Sequence, residues 1–314
     1  MCTFTTLMNN MLKYWAIVPF YSKENDLDSN IIKLTDTIDS LIKKCWVEIC
    51  YVLNDSPNID LQSFIWWYKN DKVNIINMPN NQWKTWAVKA WIEYILNNHK
   101  DIQYIIQSDF DKEQNPWDAE LFQKYIESKK DNNEANTDKL LLIWDRYRFR
   151  AEETNWNWWN NSYRKNVLDA QSLLCQSLWV EWVQDLTSWL RMYSASLAKD
   201  FILKWKWDWF ASDLDQFIIA CLEWAKIDSV SLNRGKERDT YTYWRKLIQV
   251  FNWILCHREE LIENGKAGVV KLFENIVKWL KRQDEKIKID LWLIWWKKIY
   301  YYVNNWDDKY SLTD

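Results

Sequence analysis

Glycine is almost missing from this sequence. Its 314 residues include only 3 Gly, whereas 26 are Trp. A protein of this length would normally contain about 22 glycines, and tryptophan is usually among the rarest residues. Turns and helix C-termini need backbone angles that a Cβ disfavours, so a globular fold with so few glycines is hard to build. The two counts look exchanged, which makes the positions of the tryptophans informative.

Other scarcities exclude several classes of protein. Histidine occurs only at His99 and His257, too few for a histidine-rich metal site. The net charge of −3 lacks the basic excess of a nucleic-acid-binding protein. The longest candidate membrane span, residues 247–256, is about half as long as a transmembrane helix. The six cysteines form no CxxC pair and the first residues lack a signal-peptide pattern, so we expect a cytoplasmic protein with reduced thiols.

Many of the tryptophans fall where a turn favours glycine. Trp295 and Trp296 separate two β-rich runs, and Trp117 lies between Pro116 and Asp118. Some bacterial lineages read UGA as glycine, and translation with a code that reads UGA as tryptophan would produce this pattern. We therefore interpret many of the tryptophans as glycines of the natural protein. The alternative is a Trp-rich carbohydrate-binding module, whose tryptophans would line one exposed face.

Short apolar runs alternate with amphipathic segments along the chain. Strands are predicted at residues 15–20, 47–53, 73–77, 101–107 and 139–143. Helices are predicted at residues 28–44, 87–97, 121–128, 166–178, 213–223, 243–263 and 269–282, with a hairpin near 291–303. The alternation indicates an α/β fold with a mainly parallel sheet, in which ligands bind beyond the carboxyl ends of the strands. We predict an N-terminal extension over residues 1–13, a main domain over 14–240 and a C-terminal helical and hairpin appendage over 241–314.

An acidic motif follows the fourth predicted strand. Asp109 and Asp111 are two residues apart, and Glu113 repeats the spacing. Carboxylates that converge in such a turn can bind Mg²⁺ or Mn²⁺, and the cation can bridge a diphosphate. An acidic surface turn is the alternative interpretation.

Several motifs together resemble a known family. The strand ends carry PFYSKE at residues 19–24 and NDSP at residues 54–57, and NNQWKTWA at residues 80–87 precedes a predicted helix. Together with Asp109 and Asp111, which form a DxD motif, this ordered set resembles the family-2 nucleotide-sugar glycosyltransferases, which have a Rossmann-like GT-A fold. IWDRY at residues 143–147 and DLTSWLRMY at residues 185–193 are similar to motifs of the polyprenyl-phosphate (dolichol-phosphate type) sugar transferases. Trp83, Trp86, Trp144 and Trp189 stand where these enzymes have glycine.

The resemblance implies a role for each matched residue. The residues implied in donor binding are Pro19, Tyr21, Glu24, Asn54, Asp55, Lys84, Asp109, Arg234 and Lys236. Those implied in metal binding are Asp109, Asp111 and Glu113, and those implied in the transfer step are Asp185, Asp213, Asp215, Arg146 and Arg191. Lys84 is equally interpreted as a solvated lysine, and the segment with Arg234 and Lys236 as a basic surface loop.

The acceptor decides which side chains take part in transfer. A sugar hydroxyl must lose a proton, for which Asp213 or Asp215 is the candidate base, whereas a lipid phosphate needs none. Asp185 either takes a proton or positions the acceptor loop. Arg191 either grips a phosphate or sugar, as is also predicted for Arg146, or is an internal partner for Asp185.

The resemblance implies a metal-dependent, inverting hexosyltransferase of bacterial cell-envelope or glycan biosynthesis. It would move a sugar from a UDP- or GDP-sugar to a lipid-phosphate or glycan acceptor. A lipid acceptor would require peripheral docking at the inner face of the membrane, through the C-terminal helices. A sugar-phosphate nucleotidyltransferase is the alternative enzyme, although residues 19–24 lack its glycine-rich basic signature.

Overall fold

The computed structural model describes two compact units. The described residues are 12–56, 58–64, 68, 70–78, 84–110, 118–131, 138–145, 174–180, 183, 186, 188–206, 212–230 and 254–283. Unit 1 comprises Met1–Trp156 and Trp182–Asp239, and unit 2 comprises Asn157–Glu181 and Thr240–Asp314. None of the helices in these described ranges has the length and apolarity that a bilayer crossing requires. The predicted domain bounds stay a prediction.

Unit 1 is built on a seven-stranded sheet. Its strands are β1 (Tyr14–Phe20), β2 (Ile49–Asn54), β3 (Val73–Asn77), β4 (Tyr104–Gln107), β5 (Leu140–Trp144), β6 (Arg191–Ser194) and β7 (Lys226–Val230). They are ordered β3-β2-β1-β4-β6-β5-β7. Only β6 runs against its neighbours, β4 and β5, and the other pairs are parallel. The predicted α/β class with a mainly parallel sheet is confirmed.

Helices cover the sheet of unit 1 and make up the described part of unit 2. In unit 1 they are α1 (Leu27–Lys43), α2 (Leu61–Phe64), α3 (Lys84–Asn98), α4 (Ala119–Asp131), α5 (Ala195–Lys204) and α6 (Ser212–Leu222), with a 3₁₀ turn at Glu24–Asp26. Unit 2 contains α7 (Arg258–Glu263), α8 (Ala267–Gln283) and a helical turn at residues 174–177.

The core of unit 1 follows from the apolar patterns of its elements. Every residue of β1 is buried, as expected for a central strand that is covered on both faces. In α1 the buried residues Leu34, Ile38 and Leu41 recur at helical spacing, and they join Val18 and Val52 in one apolar cluster. This packing holds the carboxyl ends of the parallel strands in place.

Most predicted elements are confirmed. The five predicted strands correspond to β1–β5, and four of the predicted helices to α1, α3, α4 and α6. The helix predicted at 269–282 corresponds to α8, whereas the one at 243–263 is only partly described. Residues 166–173 and the hairpin near 291–303 lie outside the described residues. The strands β6 and β7 and the helices α2 and α5 were not predicted.

One helix ends at a glycine that has a positive φ. After α7, φ of Gly265 is 74°, and its N–H donates to the carbonyl of Ile262 at 2.9 Å. The next N–H, of Lys266, donates to the carbonyl of Leu261 at 2.8 Å. This pair of bonds is the Schellman arrangement, whose left-handed position favours glycine because it has no Cβ.

Tryptophan occupies the same position at the ends of two other helices. After α6, φ of Trp224 is 53°, its N–H donates to Cys221 O at 3.2 Å, and Ala225 N–H donates to Ala220 O at 2.9 Å. After residues 174–177, φ of Trp179 is 68°, and the equivalent bonds measure 3.0 and 2.8 Å. The two side chains are 87% and 77% exposed. Burial of the indoles therefore does not offset the unfavourable backbone conformation.

Candidate functional site

The loops after β1 and β2 are tied together at the carboxyl edge of the sheet. The backbone N–H of Asp55 donates to the carbonyl of Phe20 at 2.9 Å. The backbone N–H of Ser22 donates to Oγ of Ser56 at 2.9 Å, and Nδ2 of Asn30 donates to Oγ of Ser22 at 3.0 Å. These bonds fix the position of two loops that the sequence assigns to donor binding.

Asn54 shapes its loop from within. Its Nδ2 donates to the carbonyl of Ile59 at 2.7 Å and to Oδ1 of Asn77 at 2.8 Å. Its Oδ1 accepts the N–H of Ser56 at 3.1 Å, which forms a turn without glycine. The side chain is 1% exposed. The amide of Asn54 therefore orders the loop in which Asp55 lies.

The other residues predicted around β1 differ in exposure. Pro19 is buried inside β1, because the strand extends one residue beyond it to Phe20. Tyr21 is 45% exposed, and Glu24 is exposed at the start of the 3₁₀ turn. Lys84 is the first residue of α3. Tyr21 and Glu24 are therefore accessible to a ligand.

The backbone around Asp109 is anchored on both sides. Before it, the N–H of Ser108 donates to the carbonyl of Ile17 at 3.1 Å, which continues the pairing of β4 with β1. After it, Phe110 packs on Phe20 with ring centroids 4.7 Å apart. Asp109 itself is half-buried at the end of a strand. The backbone that carries Asp109 is thus fixed beside β1.

The remaining predicted metal ligands cannot be placed. Asp111 and Glu113 lie outside the described residues. Within the ranges that the structure describes, no group of three His, Cys, Asp or Glu side chains could hold a metal ion. Arg146, Asp185, Arg234 and Lys236 also lie outside those ranges. Their predicted roles stay predictions.

Arg191 is fully buried at the start of β6, and its guanidinium is engaged within the protein. Its Nε and one terminal nitrogen donate to the carbonyl of Ser188 at 3.0 and 2.6 Å, and that nitrogen also donates to the carbonyl of Leu186 at 3.0 Å. The other terminal nitrogen donates to the carbonyl of Asp213 at 3.1 Å and to Oε1 of Gln216 at 2.9 Å. The geometry makes Arg191 an internal organiser of this edge.

Asp213 and Asp215 lie in the first turn of α6. They are 4% and 2% exposed, and Oδ1 of Asp213 is 3.9 Å from a guanidinium nitrogen of Arg191. The N-terminus of a helix favours negative charge, as does the guanidinium. Both carboxylates are therefore held on the α6 side of the same sheet edge, across β6 from β4.

Sequence analysis missed several buried polar residues at or near this edge. Nε2 of Gln216 donates to Oε1 of Gln107, the last residue of β4, at 3.2 Å. Asp145 follows β5 and is completely buried, and its N–H donates to the carbonyl of Val230 at 2.9 Å. A polar residue that closes an apolar strand was the available signal at Gln107 and Asp145.

A buried carboxyl group is hydrogen-bonded to the last residue of β5. Nε1 of Trp144 donates to Oδ2 of Asp118 at 2.6 Å, and both side chains are buried. Burial raises the pKa of Asp118 to about 6, although the bond from Trp144 acts in the opposite direction.

Positive φ is absent at three of the described positions where the resemblance places glycine, namely Trp86, Trp144 and Trp189. Backbone conformation therefore does not require glycine at these three positions.

Known proteins resemble this chain in structure but not in sequence. No family model and no curated protein matches it. PcManGT, a mannosyltransferase from Pyrobaculum calidifontis solved with GDP-Man and Mn²⁺, is 9% identical over 95% of this chain and 84% of that one, with a TM-score of 0.50. S. aureus TarS 1–349 is 15% identical over 89% and 76%, with a TM-score of 0.48.

A third neighbour has a different activity. CMP:2-keto-3-deoxy-manno-octonic acid synthetase, solved with CTP, is 10% identical over 75% of this chain and 96% of that one, with a TM-score of 0.42. At such identities a likeness concerns the fold, and one fold can host several functions. The chain has the Rossmann-like GT-A type of α/β fold, as predicted.

Proposed function

We propose that this chain is a metal-dependent glycosyltransferase that uses a UDP- or GDP-sugar. The observation that carries the proposal is the arrangement of acidic residues along one sheet edge. Asp55 and Asp109 follow the strands β2 and β4, which lie on either side of β1, and Asp213 and Asp215 lie in α6. A donor diphosphate, its cation and an acceptor can each find acidic or polar partners there.

The donor would lie over the ends of β1, β2 and β4. Asp55, Tyr21 and Glu24 would bind the nucleoside, with Pro19 and Asn54 fixing their loops. The diphosphate would be bound by Lys84, Arg234 and Lys236. The N-terminus of α3, where Lys84 lies, also favours an anion.

The metal would be held by Asp109, Asp111 and Glu113. Mg²⁺ and Mn²⁺ prefer carboxylate oxygens, and Asp109 offers one at an anchored strand end. When bound, the cation neutralises the charge that develops on the leaving nucleoside diphosphate. PcManGT, which has a similar fold, was solved with Mn²⁺ and GDP-Man.

Transfer would take place between the donor and the first turn of α6. For a glycan acceptor, Asp213 or Asp215 would remove the proton of the attacking hydroxyl, and inversion at the anomeric carbon would follow. For a lipid phosphate no base is needed, and Arg146 would place the anion while Asp185 positions the acceptor loop. Arg191 would hold Asp213 from within the protein, rather than bind the substrate.

The decisive experiment measures sugar release from UDP- and GDP-sugars with Mn²⁺. We expect turnover by the wild type, produced with the genetic code of its natural host, and a loss of at least about 100-fold in Asp109→Ala. Asp71→Ala is the control, because Asp71 is exposed before β3, at the opposite edge of the sheet. No turnover with any donor would overturn the proposal. Release of pyrophosphate from a nucleoside triphosphate and a sugar phosphate would favour the nucleotidyltransferase instead.

A lipid acceptor can be tested separately. We propose that the appendage of residues 241–314 docks peripherally at a membrane if the acceptor is a polyprenyl phosphate. The full chain should then float with anionic liposomes in a density gradient. Failure to float, together with transfer to a soluble glycan, would exclude the lipid-phosphate acceptor.

We also propose that Trp46, Trp179 and Trp224 are glycines in the natural protein, encoded by reassigned UGA codons. Trp46 follows α1 with φ of 50° and is 71% exposed, and the other two occupy the helix-end position that Gly265 occupies after α7. Three exposed tryptophans with positive φ are hard to explain by packing. UGA at these codons, and glycine in peptides from the natural host, would support the proposal. UGG codons would overturn it.

A further inference from the structure

A chain of hydrogen bonds crosses the buried side of the candidate site. Arg191 donates to Oε1 of Gln216 at 2.9 Å, and Nε2 of Gln216 donates to Oε1 of Gln107 at 3.2 Å. All three residues are 0% exposed. These hydrogen bonds thus connect β6 and α6 with Gln107, the last residue of β4, which lies two positions before Asp109.

The guanidinium of Arg191 determines which groups donate and which accept in this series of hydrogen bonds. A guanidinium can only donate, so Gln216 must accept with its oxygen and donate with its nitrogen. Gln107 must therefore accept with its oxygen, and its own amide nitrogen is left as a donor. That nitrogen is buried and has no acceptor among the described residues. Leaving a buried donor unpaired is unfavourable, which indicates that an acceptor joins it in the working protein.

We propose that the amide of Gln107 donates to an anionic oxygen of the loaded metal–diphosphate site, with Arg191 and Gln216 as positioning residues. The oxygen belongs either to the carboxylate of Asp109 or to the diphosphate. This inference rests on the proposed function, because it assigns Gln107 to the same metal and donor site. The proposal gives a reason for the hydrogen bonds that Nε and both terminal nitrogens of the buried Arg191 donate at this sheet edge.

The test compares Gln107→Met with Gln107→Glu. Methionine keeps the length of the side chain but has no donor, whereas glutamate places a second acceptor where the donor lies. Affinity for Mn²⁺ alone, and for UDP and GDP in the presence of Mn²⁺, is measured by titration calorimetry. We expect Gln107→Met to weaken binding about tenfold, the loss of one hydrogen bond to a charged group. Gln107→Glu should weaken nucleotide binding further, because two negative groups would then meet.

The two ligands distinguish the source of the oxygen. Weaker binding of Mn²⁺ alone would identify the carboxylate of Asp109, whereas a change only with the nucleotide would identify the diphosphate. Gln216→Met should act in the same direction with a smaller effect, since the amide of Gln107 remains but loses its orientation. Gln123→Met is the matched control: its Nε2 donates to the carbonyl of Cys45, away from the site, so only stability should fall.

Two failures are distinguishable. If the wild type binds no Mn²⁺ and turns over no donor, the proposed function fails. If the wild type is active and folded Gln107→Met binds both ligands as tightly as the wild type, the role of Gln107 is overturned while the proposed function stands. Melting temperatures of all variants identify any that fail to fold, and Gln216→Met then provides the second measurement.

Discussion

A tryptophan with positive φ has a strained backbone, and favourable contacts of its side chain are needed to offset the cost of that strain. Trp224 gains little, since it is 87% exposed. Gly265 adopts the same pair of helix-ending bonds with φ of 74° and carries no such strain. The two positions share one local backbone structure and differ in the side chain, which glycine lacks.

Trp224→Gly should therefore stabilise the chain. We expect the free energy of unfolding to rise by about 1 kcal/mol, because the left-handed conformation suits glycine. Urea denaturation of the recombinant chain with the printed sequence measures the change.

Two controls accompany this substitution. Trp224→Ala removes the indole but keeps the Cβ, so it should not reproduce the gain. Gly265→Ala should lower stability by about 1 kcal/mol through the backbone alone, since a Cβ there meets nothing within 4 Å. A loss of stability in Trp224→Gly would contradict the backbone argument.

The buried carboxyl of Asp118 makes stability depend on pH. Its folded pKa of about 6 exceeds the ordinary value of 3.8, so the folded state keeps a proton that the unfolded state releases in this window. The associated stability is present at low pH and is lost as the pH rises through about 4 to 6. At about pH 8 the free energy of unfolding of Asp118→Asn should exceed that of the wild type by up to about 3 kcal/mol. Asparagine carries no charge, and its side-chain oxygen can still accept the hydrogen bond from Trp144.

Denaturant unfolding at several pH values checks this effect. The difference between Asp118→Asn and the wild type should shrink towards zero near about pH 4, where both side chains are neutral. A difference that is equal at both ends of the range would show that burial of the charge is not its cause.

Single residues also mark the limit of sequence-based prediction. The sequence identified Arg191 as important but left two roles open. The carbonyls it binds belong to Ser188, Leu186 and Asp213, and their convergence depends on the path of the backbone. No side-chain pattern encodes such carbonyl partners, so only the folded chain distinguishes an internal arginine from a ligand-binding one.

At the scale of elements, prediction followed the strength of the apolar pattern. The strands β1, β2 and β5 are strongly apolar and were predicted within about two residues at each end. The strand β6 has the sequence RMYS, with polar residues at both ends, and α5 begins immediately after it. Its burial comes from its neighbours β4 and β5, which are distant in sequence.

Ser194 joins three of these elements. Its Oγ accepts the N–H of Leu140 in β5 at 3.1 Å and that of Leu197 in α5 at 3.4 Å, and it donates to the carbonyl of Asp138 at 2.9 Å. Ser194→Ala should lower the free energy of unfolding by about 1–2 kcal/mol, because it removes a helix cap and leaves a buried N–H unpaired. Thermal and urea unfolding measure the loss.

The matched substitution is Ser128→Ala. Ser128 also donates to a backbone carbonyl, that of Tyr125, but it is exposed near the end of α4. Alanine is a good helix former there, so stability should change little. Equal losses in the two variants would show that the position of Ser194 between elements is unimportant.

For the whole molecule, the alternation of strands and helices predicted the class of fold and the sheet edge where chemistry is expected. It did not predict that β6 would enter between β4 and β5. That insertion pairs Arg191 with Gln107 and brings Gln216 of α6 within hydrogen-bonding distance of the end of β4. Strand order depends on long-range packing, which a local pattern does not record.

Ligand binding should stabilise the chain as a whole. Mn²⁺ and a nucleoside diphosphate, each at about 100 times its dissociation constant, should add about 2.7 kcal/mol or more to the free energy of unfolding. The melting temperature should rise, and chelation of the metal should reverse the rise. Asp109→Ala should show no such shift, whereas Asp71→Ala should behave as the wild type. If neither ligand changes the melting temperature of the wild type, the proposed donor site is contradicted.

The position of β6 has a consequence for synthesis on the ribosome. When the nascent chain has reached Leu190, the strands β1–β4 can already pair, but the outer edge of β4 is open and β5 has no partner. Both strands are fully apolar or buried in the finished protein, and open edges of this kind invite pairing with other chains. Four residues, Arg191–Ser194, then close the open edge of β4 and one edge of β5, and β7 closes the other edge of β5. Until these four residues emerge, the nascent chain exposes apolar strand edges that a chaperone could protect.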